Sequence, residues 1–152
     1  MTNPLLRDLA LLIARLGLGI VFVAHGWQKW ATFGHEGTAS AFENMGVPMP
    51  SAAAFFAATV ELIGGAALIL GAAVPVAGLL LAVNMAGAFL FVHATKGVFV
   101  TDGGFELVLA LGVGALLLAA TGAGRFGVDH VLGSRLRRSR RSGRPEVGAA
   151  AA

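Results

Sequence analysis

Five ionisable side chains lie near the ends of apolar stretches and could together bind a ligand. His25 and Lys29 are four residues apart, which places them on one face of a helix. His93 and Lys96 are three residues apart in a later stretch, and Glu106 begins the last one. A lysine donates to oxygen atoms, and a histidine exchanges a proton near neutral pH. These residues predict a ligand pocket for an oxyanion or a polarisable carbonyl, such as a sulfur oxyanion or a quinone oxygen.

The same residues also have structural interpretations that the sequence leaves open. Lys29 lies between Trp27 and Trp30, so its ammonium group could extend to lipid headgroups within an aromatic belt. Each histidine, taken alone, is more typical of a hydrogen-bonded interior residue than of a ligand contact. A metal site is not predicted, because the two lysines would repel a cation and no helix carries an HxxxH or ExxH pattern.

Three further polar residues lie inside apolar stretches, where a charge costs about 2.5–3.5 kcal/mol unless it is paired or functional. Arg15 and Glu61 are predicted at depths that differ by only about 5 Å, which a long arginine side chain spans. The sequence therefore predicts an Arg15–Glu61 pair that fixes helix register, with Asn84 as polar support. The alternative is a Glu61 that titrates or contacts a ligand. Asn84 and His93 are nine residues apart, so a straight helix points them in opposite directions.

The composition places these residues in lipid rather than in a soluble domain. Of the 152 residues, 57% are hydrophobic and 12% are charged, and the mean hydropathy is +0.80. Soluble domains average about 45–50% apolar and about 25% charged residues. A compact soluble fold of this length cannot bury so much apolar surface. The chain has no cysteine, which excludes disulfides, thiolate metal sites, iron–sulfur ligation and thiol nucleophiles within this chain.

Four apolar stretches are each close to the length of about 20 residues that a helix needs to cross a bilayer. They lie at about 8–30, 51–72, 75–96 and 104–123. Helices are predicted, because only helices and closed barrels satisfy the backbone in lipid and no alternating pattern appears. The predicted fold is all-α, a four-transmembrane-helix antiparallel bundle over residues 1–130, with a loop at residues 31–50 that ends in turns rather than in a continuous helix.

The arginines predict the orientation of this bundle. Residues 125–152 hold seven arginines against two acidic residues, and basic residues concentrate on the cytoplasmic side of membrane proteins. An even number of crossings then places both termini in the cytoplasm, in a multi-pass protein of the plasma membrane. Residues 131–152 are predicted to be a disordered, arginine-rich cytoplasmic tail that contacts membrane lipid. Nucleic-acid binding is not predicted beside such a hydrophobic body.

Five sequence fragments occur in the order seen in the DoxX family of small bacterial membrane proteins, which the chain resembles over roughly residues 11–130. They are RLGLGIVFVAHGWQKW, GVPMP, VELIGGAALILG, FVHATKG and GGFELVLALGVGALLLAATGAGRFGVD. The resemblance implies a four-span bundle in the plasma membrane. The positions that carry it are Arg15, His25, Gly26, Lys29, Glu61, Gly64, Gly65, His93, Gly104 and Glu106.

Proteins of this family differ in function, so the resemblance implies a class of roles rather than one reaction. Some relatives are linked to thiosulfate:quinone oxidoreduction, and others resemble a component that assembles with a superoxide dismutase and a sulfurtransferase. The resulting hypothesis is a membrane component of a redox or oxidative-stress complex, with redox-enzyme partners. Its outer-leaflet pocket would take a quinone or an oxyanion, and no covalently bound cofactor is expected. Two alternatives stay open: a non-catalytic scaffold that recruits partners, and a small transporter that forms a homo-oligomer.

Overall fold

Helices provide the regular structure of the computed structural model, which describes residues 3–131 and contains no strand over that range. The α-helices are α1 (Pro4–Trp27), α2 (Gly34–Asn44), α3 (Pro50–Leu70), α4 (Val74–Ala88) and α5 (Glu106–Thr121). Two π-helical turns, Gln28–Thr32 and Phe89–His93, extend α1 and α4, and a 3-10 turn, Val100–Asp102, precedes α5. The predicted all-α class is confirmed.

Within residues 3–131, three helical stretches are long and apolar enough to cross a membrane, namely Pro4–Thr32, Pro50–Leu70 and Val74–His93. The fourth apolar helix, α5, has only 16 residues. A helical membrane protein is therefore supported by length and composition, whereas the fourth crossing and the sidedness of the termini stay predictions. The tail predicted to be disordered, residues 131–152, lies outside the described residues except for Val131. The scaffold hypothesis depends on this arginine-rich tail.

The long helices pack in pairs around an apolar core. Helix α1 packs along α3 and α4 packs along α5, while α3 and α4 form a hairpin across the short link 71–73. Phe22, Leu68, Leu81 and Leu118 are almost fully buried between them. Many other large apolar side chains are exposed on the outside of the bundle, which is the surface that a helical membrane protein turns toward lipid.

Glycines allow the paired helices to approach closely. A Cβ atom built on Gly26 of α1 would lie 2.5 Å from the backbone nitrogen of Leu62 in α3. One built on Gly78 of α4 would lie 2.6 Å from the carbonyl oxygen of Ala115 in α5. Because lipid is as apolar as a helix surface, such close backbone packing is a main source of attraction between membrane helices.

Replacing Gly26 with alanine is expected to lower the free energy of unfolding by about 1–3 kcal/mol, because the new methyl group meets the backbone of Leu62, which cannot move aside. Gly17→Ala on the same helix is the matched control, since a Cβ atom there meets nothing within 4 Å. Equilibrium unfolding in mixed detergent micelles measures both. Equal losses in the two variants would contradict the close approach of α1 and α3.

The segment between residues 31 and 50 contains helix α2, so the prediction of a loop there is wrong for most of its length, whereas a turn at residues 45–46 ends the helix as predicted. Helix α2 packs on α3. The buried hydroxyl of Thr38 lies 3.1 Å from the carbonyl oxygen of Lys29 and 2.9 Å from that of Gly34. Gly34 has a φ of +70°, which glycine adopts without strain. Packing and this hydrogen bond, rather than intrinsic propensity, therefore maintain α2.

The predicted Arg15–Glu61 pair is wrong, because both side chains bind other groups. Arg15 is only 1% exposed, and its guanidinium donates to the carbonyl oxygens of Ala123 and, at 3.3 Å, of Phe126. These carbonyls belong to the segment that follows α5 and returns toward α1. Glu61 pairs with Lys29 instead. Depth in the membrane, on which the prediction rested, does not determine the direction in which a long side chain points.

The segment that follows α5 also caps the start of α4. The carboxylate of Asp129 accepts the N–H groups of Ala73 at 2.7 Å and Val74 at 3.1 Å, and the Asp129 N–H donates to the Gly71 carbonyl at 3.0 Å. Ala73 has a φ of +48°, a left-handed conformation that residues other than glycine seldom adopt. Residues 122–131 thus connect α1, α4 and α5 at one end of the bundle, which we call the Arg15 end.

Candidate functional site

A cavity of about 540 Å³ lies at the end of the bundle opposite the Arg15 end. All five α-helices contribute to its walls, together with the segment that follows α2. Five polar side chains line what we call the polar cavity: His25, Lys29, Glu61, Asn84 and His93. The other lining residues are apolar, glycine or proline. The chain therefore surrounds a small polar group with a large apolar wall.

Lys29, Glu61 and Asn84 form one hydrogen-bonded group from three helical segments. The Lys29 Nζ atom lies 2.6 Å from Glu61 Oε2, and Asn84 Nδ2 donates to Glu61 Oε1 at 3.0 Å. The side chain of Glu61 is 4% exposed and that of Lys29 is 18% exposed. Both carboxylate oxygens are thus satisfied, and the positive charge of Lys29 is balanced by a partner in direct contact.

A π-helical turn resolves the apparent conflict between Asn84 and His93. Nine residues of regular α-helix separate two side chains by about 180°. The turn Phe89–His93 takes in one additional residue, with the N–H of Ala94 donating to the carbonyl of Phe89 at 2.8 Å, and so rotates the following residues by about 100°. Asn84 and His93 consequently line the same cavity. Lys29 lies within the other π-helical turn, and such turns are frequent at functional sites.

Each of the two histidines keeps at least one ring nitrogen without a hydrogen-bond partner in the part of the chain that the structure describes. His93 Nδ1 lies 2.6 Å from the carbonyl oxygen of Gly103. A carbonyl only accepts, so Nδ1 carries the proton and Nε2 of the neutral ring is an acceptor. His25 lines the polar cavity, and its ring forms no hydrogen bond to any residue between 3 and 131. Both rings can therefore exchange hydrogen bonds with a ligand.

Lys96 and Glu106, which the sequence placed with these residues, do not line the polar cavity. Lys96 is exposed. Glu106 Oε1 accepts the N–H of Val100 at 2.7 Å and thereby holds the loop that precedes α5. The three other predicted pocket residues, His25, Lys29 and His93, do line it, and whether they bind a ligand stays a prediction.

Glu61 and Asn84 line the cavity although the sequence assigned them structural roles. A signal for the contact with Lys29 was available. The acidic residue on the helical stretch of Lys29 is Asp8, at its far end, and Glu61 is the only ionisable residue of α3, so neither has a partner within reach on its own helix. An unpaired cation and an unpaired anion on packed membrane helices predict each other as partners.

The arrangement favours a ligand that is neutral, largely apolar and equipped with polar oxygens. The charge of Lys29 is compensated by Glu61, so no net positive charge is left in the cavity to hold an anion. Lys29 nevertheless has further N–H donors beyond the one that Glu61 accepts. Phe42 from the last turn of α2, Met45 directly after that helix and Phe56 from α3 supply apolar surface around this polar group. Such a combination of apolar walls and a few convergent polar groups is typical of small-molecule sites.

Comparisons with known proteins confirm the resemblance seen in the sequence. A family model described as DoxX matches residues 10–94, a range that includes all five polar residues of the polar cavity. The "Putative oxidoreductase CatD" of Bacillus subtilis (strain 168) is 34% identical over 122 residues, which cover 80% of this chain and 86% of that protein. The "Inner membrane protein YqjF" of Escherichia coli (strain K12) is 34% identical over 131 residues, covering 84% of this chain and 95% of that protein. No solved structure matches.

Proposed function

The chain belongs to the DoxX family, and we propose that it binds a quinone-like molecule in the polar cavity, as the membrane component of a redox complex. The observation that carries this proposal is the neutral Lys29–Glu61–Asn84 group enclosed by apolar walls. An aromatic or quinoid ring suits the walls. Its carbonyl oxygens suit the remaining donors of Lys29 and a ring N–H of His25, and the hydroxyl of its reduced form suits the acceptor Nε2 of His93.

This charge balance favours a quinone over an oxyanion such as thiosulfate. An anion in a low-dielectric site requires a cation that is not already neutralised, and Lys29 is in contact with Glu61 at 2.6 Å. A quinone carbonyl carries only partial charge, so it can accept a hydrogen bond from Lys29 without displacing Glu61. The ion pair thus becomes a positioning group that aims an ammonium donor into the cavity.

A redox role requires both protons and electrons. Reduction of a quinone to a hydroquinone takes two electrons and two protons, and reoxidation returns them. His93 Nε2 is suited to accept a proton from a hydroquinone hydroxyl, or to donate one when the ring is protonated. The electrons would pass from a partner redox protein to the quinone on reduction, and from the hydroquinone to such a partner on reoxidation. The oxidoreductase in the name of the Bacillus subtilis relative supports this class of role.

We also propose that α5 is a fourth crossing, with both termini in the cytoplasm of the plasma membrane and the polar cavity in the outer leaflet. Helix α5 packs antiparallel beside α4 in the apolar core, and its 16 residues extend about 24 Å. Modest thinning of the bilayer accommodates a helix of that length. The arginines that follow residue 124 support a cytoplasmic C-terminus.

The proposal is tested by titrating a short-chain benzoquinone into the full chain in nanodiscs and measuring binding by calorimetry. Saturable binding is expected, and His25→Phe is expected to weaken it about fivefold, because one hydrogen bond is worth about 1 kcal/mol. Lys29→Met combined with Glu61→Gln is expected to weaken binding at least about tenfold, since it removes a charged donor while leaving no charge unpaired.

Two matched controls identify the cavity as the binding site. His35 and Lys96 have the same side-chain types but lie outside the polar cavity, so His35→Phe and Lys96→Met should leave the affinity unchanged. A titration with thiosulfate provides the competing result. Saturable thiosulfate binding without quinone binding would overturn the ligand assignment, and equal losses in the cavity variants and the controls would overturn the site.

A further inference from the structure

A second cavity, of about 440 Å³, lies at the Arg15 end, remote from the polar cavity. Its lining comes from the first turns of α1 and from the segment that follows α5. Five of its residues bear ionisable side chains, Arg7, Asp8, Arg125, Asp129 and His130. None of them takes part in the proposed quinone site, and the inference below is independent of that proposal.

The two carboxylates of this cavity are engaged by the protein itself. Asp129 accepts two backbone N–H groups at the start of α4, and the buried guanidinium of Arg15 attracts its charge. Asp8 is 7% exposed, and its Oδ1 atom accepts the N–H of Arg125 at 3.3 Å. Because their oxygens are turned to internal donors, these carboxylates repel an external anion less than their number suggests.

The cations of the same cavity remain available. The guanidinium of Arg7 is exposed and forms no hydrogen bond or ion pair with any part of the chain that the structure describes. The ring of His130 is likewise without a partner there. Arg125 lies 3.8 Å from Asp8, but its side chain is 64% exposed, so most of its donors face outward. Arg15 balances the charge of Asp129, and Arg125 balances that of Asp8. Among the described residues, the positive charge of Arg7 is therefore not compensated by a carboxylate.

We propose that this cavity binds the phosphate group of an anionic phospholipid. A phosphate presents several acceptor oxygens, which match the forked donors of Arg7 and Arg125. The cavity lies at an end of the apolar bundle, where headgroups meet the helices of a membrane protein, and basic pockets at that level bind anionic headgroups. Leu6, Phe126 and Val128 beside it are exposed apolar residues that suit acyl chains. These apolar residues would contribute nothing to the binding of a free phosphate ion.

The test compares unfolding temperatures of the full chain in neutral detergent with added phosphatidylglycerol, phosphatidylcholine or inorganic phosphate. Phosphatidylglycerol is expected to stabilise the protein in a saturable manner, and phosphatidylcholine is not. Arg7→Gln is expected to weaken the phosphatidylglycerol affinity about fivefold, which corresponds to about 1 kcal/mol for one arginine near a charged surface. Because Arg7 has no partner among the described residues, its replacement leaves the fold intact.

Lys96→Gln is the matched control, because it removes one exposed positive charge from the opposite end of the bundle. It should bind phosphatidylglycerol as the wild type does. Equal affinity of the wild type and Arg7→Gln would overturn the site, as would an equal loss in Lys96→Gln, which would indicate a diffuse charge effect. Stabilisation by inorganic phosphate equal to that by phosphatidylglycerol would assign the site to a free ion and overturn the lipid.

Discussion

Replacing Lys29 with methionine is expected to lower the free energy of unfolding by about 3–5 kcal/mol, because it leaves the carboxylate of Glu61 buried without its cation. Glu61 is 4% exposed, and the amide of Asn84 is the only other group between residues 3 and 131 that binds its carboxylate. Glu61→Gln alone is expected to be destabilising as well, since it leaves the ammonium of Lys29 unpaired. Equilibrium unfolding of the full chain in mixed detergent micelles measures each loss.

The double variant, Lys29→Met with Glu61→Gln, is the decisive control. It removes both charges together, so its stability should return to within about 1 kcal/mol of the wild type. Lys96→Met, an exposed lysine replaced in the same way, should change the stability little. If the double variant is as unstable as Lys29→Met, the loss comes from packing of the lysine side chain and not from the ion pair.

Replacing Arg15 with methionine is expected to cost about 2–6 kcal/mol, because the carbonyl oxygens of Ala123 and Phe126 lose their donor and each unsatisfied buried group costs about 1–3 kcal/mol. The same change removes the cation beside Asp129. Unfolding measurements should therefore be joined by hydrogen exchange of the amides of Ala73 and Val74, which Asp129 caps. Their protection is expected to fall more than that of amides in the middle of α4.

Arg15→Lys separates charge from geometry in this cluster. A lysine keeps the positive charge, but its single ammonium group cannot reproduce the fork that reaches two carbonyls, so only part of the stability should return. Arg7→Met, on the exposed side of the same helix, should leave the stability unchanged. Full recovery in Arg15→Lys would show that the charge alone stabilises the segment after α5.

The sequence predicted which ionisable residues are buried in the bundle more reliably than it predicted the partners that they bind. Arg15 and Glu61 stand out as ionisable residues in apolar stretches, and both are buried. Their partners depend on the rotation of each helix about its own axis. Glycines such as Gly26, which allows α1 to pack closely on α3, help to set that rotation. The segment after α5, which binds Arg15 through its carbonyl groups, also helps to set it, and the sequence shows this segment only as a glycine-rich end of the helix.

Periodicity also fails where the helix itself departs from a regular repeat. The spacing of Asn84 and His93 predicts opposite faces, and the π-helical turn before His93 brings both to one cavity. Such a turn leaves no mark in a pattern based on 3.6 residues. Lys96 and Glu106 illustrate the complementary limit, because they lie at the correct level along the bundle but outside the polar cavity. The level of a residue along the bundle was predictable from the sequence, whereas the direction in which its side chain points was not.

The cap that Asp129 provides for α4 has a consequence for biosynthesis. The N–H groups of Ala73 and Val74 receive their acceptor from a residue 55 or more positions later in the chain. While the ribosome is still adding α5, the acceptor for these two N–H groups has not been made, and neither has the cap beside the left-handed conformation of Ala73. The turn becomes fully satisfied only when residues 122–131 have been synthesised, so the last part of the described chain to be made completes the assembly of the first helices.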